Sequence, residues 1–506
     1  MHVGTCVTKS IRRGEPMKRK LASLFALLPL ALLLSSCSGL PVQNCTGNSC
    51  NQNGNANVTL TLFDAPPAGV DFVSFNVPVT AVTLTPQTGG PVNVFSPTSP
   101  SIFEITHLQS DSTLLGTFQI PSGTYTAMNV LIGSPFALFA NSSTSTFSGC
   151  APTTVCNLSG GATQISITFT TPLTLSANQN IGLGLEFNLA NAVTSTANSI
   201  TIDMTKANVV TVVPLPRTAQ ASGTLDTIED FVGTVKTVAA GTITVQNDAG
   251  LTFSGTTNSS TTFDAPPPTN PVGTAPCGGT FNLACVAVGQ TISVDATVST
   301  AGAVTITNVD FLDIPAADEI EGTIFSTSTA GTFLMAVDHK VLAANSTNAT
   351  ILGPVASGTT LNIIVDPTVT FAVDVSNLPI NPTTGFLSSS DLVTGQRVMA
   401  HVKSVAAGTL LNVTTDRLVL RFSRFTGTPG TIAGNNFGLQ NPPSFLGINP
   451  AIPPQVQTFV PQTLFDGVTD ITGINGIATP VSIRALYLNP FNGVQQPLLA
   501  AKVRKH

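Results

Sequence analysis

Apolar residues in this chain recur at every second position in short runs, and Gly, Pro, Asn or Asp closes nearly every run. Asn57-Val58-Thr59-Leu60-Thr61-Leu62-Phe63 is the first, stopped by Asp64-Ala65-Pro66-Pro67. Successive side chains of a strand point to opposite faces, so a period of two fits half-buried strands and not helices. Further runs at 72–77, 81–85, 92–95, 115–120, 125–132, 165–169, 181–187 and 200–204 predict a β-sandwich over residues 57–215. β-branched residues are abundant and long helical periodicity is absent, so the class is all-β. A chain of 506 residues is expected to divide into several domains rather than build one core.

After a Pro/Ala/Gln-rich link at 216–228 the sequence repeats itself. One copy, 229–313, runs from Phe231-Val232-Gly233-Thr234-Val235 through Thr242-Ile243-Thr244-Val245 and Gly289-Gln290-Thr291-Ile292 to Val304-Thr305-Ile306-Thr307. The next, 314–424, has Ile320-Glu321-Gly322-Thr323-Ile324, Thr332-Phe333-Leu334-Met335, Gly395-Gln396-Arg397-Val398 and Leu410-Leu411-Asn412-Val413. A divergent third, 425–506, opens near Gly430-Thr431-Ile432, includes Ser482-Ile483-Arg484-Ala485, closes at Leu498-Leu499-Ala500-Ala501, and lacks the Gly-Gln pair. Units of this size are expected to close into small barrels, which removes sheet edges that would pair between molecules.

Two resemblances follow from these residues. Leu62-Phe63-Asp64-Ala65-Pro66, Ile120-Pro121-Ser122-Gly123-Thr124-Tyr125 and Leu185-Glu186-Phe187 resemble domain-of-unknown-function family 4382, found in bacterial lipoproteins. That resemblance implies a prealbumin-like or carbohydrate-binding-like sandwich with no established activity. The Gly-Gln turns resemble family 5666 of the same kind, which implies OB-like β-barrels in tandem and supplies no ligand.

The N-terminal segment addresses location. Met17-Lys18-Arg19-Lys20 is a basic start, residues 21–34 are apolar, and Leu34-Ser35-Ser36-Cys37 has the form of a lipoprotein cleavage box. As a helix the 14 apolar residues reach about 21 Å, too short for a hydrocarbon core of about 30 Å. A signal peptide over 1–36, with Met17 as the initiator, is expected. Cys37 then carries the acyl chains and 37–56 forms a polar tether. Ser38 in place of Asp favours the outer membrane of the bacterial envelope. The partner expected from this is the membrane itself, through Cys37.

The remaining cysteines in the exported part form close pairs, Cys45/Cys50, Cys150/Cys156 and Cys277/Cys285, each in a loop-like stretch. Local disulfides are expected, with other connectivities open. Zinc is the rival, but neither His nor a second close thiol pair accompanies any of them. Past residue 36 there are 13 Lys+Arg against 24 Asp+Glu. That balance lacks the basic footprint of a nucleic-acid partner.

Chemistry is hard to find. The histidines past residue 36 are His107, His339, His401 and His506, and no nucleophile elbow, zinc-protease or phosphate-loop pattern accompanies them. His401 reads as a strand-face residue, His107 as a turn or rim residue, and Asp338-His339-Lys340 as a solvated turn. Asp310/Asp313 and Asp318/Glu319/Glu321 cluster at a repeat boundary, where glycosidase carboxylates or a weak calcium site are conceivable; solvated charges are the simpler expectation. Asp64-Ala65-Pro66-Pro67 and Asp264-Ala265-Pro266-Pro267 read as strand-end turns. With no Trp and only Tyr125 and Tyr487, aromatic platforms for sugars are scarce. No catalytic residue, cofactor or metal is assigned. The expectation is a non-enzymatic, lipid-anchored structural or adhesion-like protein of the envelope. A receptor for a polysaccharide or small ligand and a carboxylate hydrolase are the alternatives.

Overall fold

The first alternating run becomes the strand Asn55–Ala65, which lies between Thr113–Pro121, antiparallel to it, and Asn180–Asn188, parallel to it. Val210–Pro214 completes this four-stranded sheet. The computed structural model describes residues 54–506 apart from 66–70, 142–144, 153, 197–198, 216–225, 248–249, 265–276, 278–279, 313–316, 329–330, 344, 376–377, 447–452 and 490–496. Among the described residues the fold is all-β, and no helix is long and apolar enough to cross a membrane.

The second sheet of the sandwich is organised by one long strand, Phe72–Pro86. Its second half pairs with Gly123–Ile132, beyond which lies Thr163–Leu175; its first half pairs with Phe136–Asn141, followed by Thr154–Ser159. The sequence divides this strand at Pro78. The chain runs on because Pro78 lies where the strand changes neighbours: Asn76 faces Phe136 while Val79 faces Ile132. A missing N–H is tolerated where the ladder is interrupted. Val58, Leu60 and Leu62 of the first sheet and Phe75, Val77, Val82 and Leu84 of the second are buried in one core.

Three five-stranded rings follow. The first comprises Asp226–Ala239, Thr242–Gln246, Thr252–Thr256, Thr291–Val298 and Val304–Phe311. The second comprises Glu319–Thr327, Thr332–Val341, Thr360–Val373, Arg397–Ala406 and Leu411–Arg421. The third comprises Ser423–Ala433, Asn436–Gln440, Gln455–Thr458, Val481–Tyr487 and Leu498–Lys505. In each, the first strand lies between the second and fourth, and the third closes on the fifth in parallel. This is an OB-like Greek-key barrel, and in the first and third a short extra strand, Thr262–Asp264 and Leu464–Asp466, runs beside the fifth.

The repeat signature now has a physical cause. Gly289 and Gly395 take φ of 93° and 94°, a region open to glycine at no steric cost. Their N–H groups donate to Val235 O and Ile324 O of the first strand, while Val235 and Ile324 donate back to Gln290 O and Gln396 O. The pair thus clips the fourth strand to the first. The first-strand glycine is fixed by close approach: a Cβ on Gly322 would lie 2.1 Å from Ala336 O, on Gly233 2.5 Å from Gln246 O, and on Gly427 2.6 Å from Gln440 O. The third barrel's counterpart is therefore Gly427-Thr428 and not the Gly430-Thr431 expected from sequence.

The barrels are not beads on a string. One apolar cluster runs from the sandwich into the first barrel, and the second barrel's core takes in Leu486, Leu488 and Leu499 of the third. Val73, Leu138 and Ala140 of the sandwich pack with Phe325 and Ala336 of the second barrel.

Candidate functional site

Where the sandwich and the barrels converge, the core turns from apolar to ionic. A bulge between Ile228 and Phe231 in the first barrel's opening strand displaces Glu229 and Asp230 from the ladder. Asp230 takes φ of 55°, and its N–H donates to Asp295 Oδ1 at 2.8 Å. The bulge aims its carboxylate at four guanidinium groups: Arg424 at 2.9 Å, Arg397 at 3.0 Å, Arg421 at 3.4 Å and Arg484 at 3.6 Å.

The surrounding ions extend this centre in every direction. Asp111 of the sandwich meets Arg424 Nε at 2.7 Å and Lys502 Nζ at 3.4 Å, and its carbonyl accepts from Arg504 Nη1 at 2.9 Å. Glu229 pairs with Arg484 at 2.5 Å, and that guanidinium lies 4.4 Å above the Phe422 ring. Arg397 Nε lies 2.9 Å from both Glu321 and Asp338. Arg421 also pairs with Asp374, and Arg504 with Asp466 at 2.7 Å. These side chains are all less than a tenth exposed.

Protonation follows from geometry. Burial alone pushes the Asp230 carboxyl up, but Arg484, Arg397, Arg421 and Arg424 outweigh it and hold it well below the usual range. Asp111 behaves alike, desolvated yet held down by Arg424 and Lys502. Asp295 faces the opposite balance: burial, then the anions Asp230 and Glu229, raise it to about 7. Glu319 rises to about 7 through burial, which its partner Arg417 only partly offsets.

A cleft of about 610 Å³ opens onto this junction between the sandwich and the first two barrels. His107, Asp338, His339 and Lys340 stand on its wall. His107 sits in the 3₁₀ turn Ile105–Gln109, capped by Glu104, and its Nε2 lies 3.5 Å from Glu104 and 3.3 Å from Asp338. His339 Nε2 lies 3.3 Å from Glu321.

Several expectations need correction. Asp338-His339-Lys340 is part of the strand Thr332–Val341 and not a solvated turn, and the Asp338 side chain is only 3% exposed. Asp310, Asp318, Glu319 and Glu321 are buried rather than solvated. Each has partners that make burial tolerable. Asp310 accepts from Asn308, Glu319 meets Arg417 at 2.5 Å, and Glu321 meets Arg397. Asp318 accepts from Ala343 N, Ser346 and Asn348. Asp64 lies inside its strand and is buried, not in a turn. Asp313, Cys37, Cys45 and Cys50 lie outside the described residues.

Other placements are simple. Cys150–Cys156 and Cys277–Cys285 are disulfides. His401 Nδ1 faces Asp416 across a strand pair at 2.5 Å, and His506 Nε2 lies 2.7 Å from Ser482 Oγ. Both tyrosines are buried; Tyr125 donates to Pro121 O at 2.6 Å, and burial raises its phenol to about 12. Among the described residues no group of three or more His, Cys, Asp or Glu side chains is placed to hold a metal ion.

Motif reasoning missed the arginines, yet a signal was present. Between 37 and 339 there are 18 acidic and 3 basic residues, and from 340 to 506 there are 6 acidic and 10 basic. The two parts of the chain complement each other, and the junction is where they meet.

The sandwich has a relative. Residues 55–210 match the family model described as Domain of unknown function (DUF4382). The sandwich is a DUF4382 domain. No curated protein matches the chain. The DUF4382 domain supplies Asp111, Glu104 and His107 to the junction, and the barrels supply the rest.

Proposed function

We propose that this protein is a non-enzymatic element of the bacterial envelope, acylated at Cys37 and held in the outer membrane, with a structural or adhesion-like role. In this proposal the DUF4382 domain and three family-5666-like barrels act as one stiff body. The observation that carries it is the buried ionic junction: in a chain with only 9% charged residues, the charges converge on fastening modules together. Asp230 and Asp111 at its centre are poor general acids or bases, because the cations around them hold their proton affinity far below neutrality. Labelling with radioactive palmitate tests the anchor. The native chain should carry label and sediment with membranes, and Cys37→Ser should do neither; equal membrane association of the two would sink the proposal.

A second reading rests on a different place. The DUF4382 domain has a groove of about 840 Å³ beside the strand Thr163–Leu175, where hydroxyls of Ser166, Thr168 and Thr174 border half-buried Ile167, Phe169 and Leu173. Such a surface suits a neutral polysaccharide or small envelope ligand, the receptor alternative. Saturable thermal stabilisation by a glycan, lost in Phe169→Ala, would favour it.

A further inference from the structure

Of the contacts between the DUF4382 domain and the second barrel, one is made by an imidazole. His107 stands on the domain's own turn, while Asp338 belongs to the second strand of the barrel. The imidazole nitrogen lies between Asp338 at 3.3 Å and Glu104 at 3.5 Å. The two carboxylates are 3% and 8% exposed, whereas the imidazole is 19% exposed on the wall of the cleft, so protons reach it from solvent. We propose that His107 is a proton-operated clasp between the DUF4382 domain and the second barrel, tight when the imidazole is charged and loose when it is neutral. This goes beyond the envelope role and does not depend on it.

The argument is one of unbalanced charge. Asp338 has a second cation, Arg397 Nε at 2.9 Å. Glu104 is held by uncharged donors, the Phe75 N–H at 2.5 Å, the His107 N–H at 3.0 Å and the Thr106 hydroxyl at 2.6 Å. An imidazolium neutralises Glu104 and bridges it to Asp338. A neutral ring donates from Nε2 to one carboxylate at most, and the two buried anions then face each other. Burial raises the Glu104 carboxyl, His107 lowers it and Asp338 raises it, the pattern expected of a site that needs the cation.

The other charges around the ring do not replace it. Lys340 donates to Val355 O at 2.5 Å, and His339 faces Glu321. Arg397 and Arg424 converge on Asp230, and Arg424 also engages Asp111, while Glu229 is held by Arg484. Imidazole is the side chain that ordinarily changes charge between pH 5 and 8.

Hydrogen exchange of the full chain in detergent micelles, corrected for intrinsic rates, reads the clasp through peptides spanning 101–112 and 332–341. From pH 5.5 to pH 8, protection there should fall on the order of fivefold more than in peptides spanning 423–433 and 481–487 of the third barrel, the low end of coupling between two sites. His107→Gln should abolish that difference, while His339→Gln should keep it. Asp338→Asn, which removes the barrel's partner but keeps its shape, should abolish it too and serves if His107→Gln does not fold. No such excess in the native chain, or one that survives either clasp variant, would overturn the proposal.

Discussion

The first barrel and the third are built alike but held in place differently. The first docks on the sandwich through neutral contacts: Thr59 Oγ1 donates to Gly302 O at 2.7 Å, Gly182 N to Thr300 O at 3.1 Å, and Ser112 N to Thr227 O at 3.0 Å. A single apolar cluster runs beneath them. The third barrel brings Arg424, Arg484, Lys502 and Arg504 to Asp111, Glu229 and Asp230. Neutral docking is indifferent to pH and degrades by increments. Ionic docking in a dry site fails abruptly, because removing one partner leaves the others charged and buried.

The largest expected effect comes from the centre of that network. Asp230→Asn leaves four guanidinium groups with one anion fewer and should lower stability by about 3–5 kcal/mol, the range for breaking a buried pair. Urea unfolding followed by circular dichroism measures it. A loss below about 1 kcal/mol, the usual span of exposed pairs, would mean that water reaches the junction and that the two docking modes are not distinct. On the neutral side Gly302→Ala is the matching test. At φ of 68°, a Cβ would lie 2.8 Å from Thr59 Oγ1 and from Ile181 O. Strain of this kind costs about 1–3 kcal/mol, and the loss should be the same at pH 5 and pH 8.

The pH dependence sharpens the comparison further. Asp295 and Glu319 are each raised to about 7, from 3.8 and 4.5. Folding therefore takes up protons at these groups, and the stability they contribute is complete below pH 4 and lost as pH rises through 7. Asp230 and Asp111 are lowered, so their contribution is present above their unfolded values and disappears only as pH falls far into acid. Together they predict greatest stability near pH 4 and a decline of about 1 kcal/mol per pH unit for each raised group between about pH 4 and 7, flat above that. Asp295→Asn should flatten that decline in a urea series across pH; an unchanged slope would remove Asp295 from the account.

What the sequence made legible follows the range of the interactions. The alternating runs predict strands because period two is local, and the Gly-Gln pairs disclose the repeat because the turn lies within one barrel. The third strand of the second barrel, Thr360–Val373, is not among the runs read from the sequence; it carries Pro367 inside it, within a register irregularity between Val365 and Thr370. The junction was out of reach of any local pattern. Arg504 meets the Asp111 carbonyl across 393 positions, and Arg424 meets the Asp111 carboxylate across 313. Glu319 and Glu321, two positions apart on the boundary of a repeat, look like solvated charges until Arg417 and Arg397 arrive from later strands of the barrel. Summed charge, acidic to 339 and basic beyond it, was the trace that non-local pairing left in the sequence.

The smallest effect belongs to an ion pair of the same barrel that faces water. Lys403 Nζ lies 2.5 Å from Asp366, as short as the Arg417–Glu319 pair, yet the lysine side chain is 46% exposed and the glutamate only 2%. Distance alone would rank the two equally. Solvent screening and the entropy of holding a lysine still cancel most of the attraction at the surface, whereas burial removes water that would compete. Lys403→Ala should leave the urea midpoint unchanged, and 1 M salt should do no more. Arg417→Ala should shift the midpoint clearly at either salt concentration, since it strands Glu319 inside the barrel. Equal shifts from the two variants would show that length of contact, and not dryness, sets the strength of these pairs.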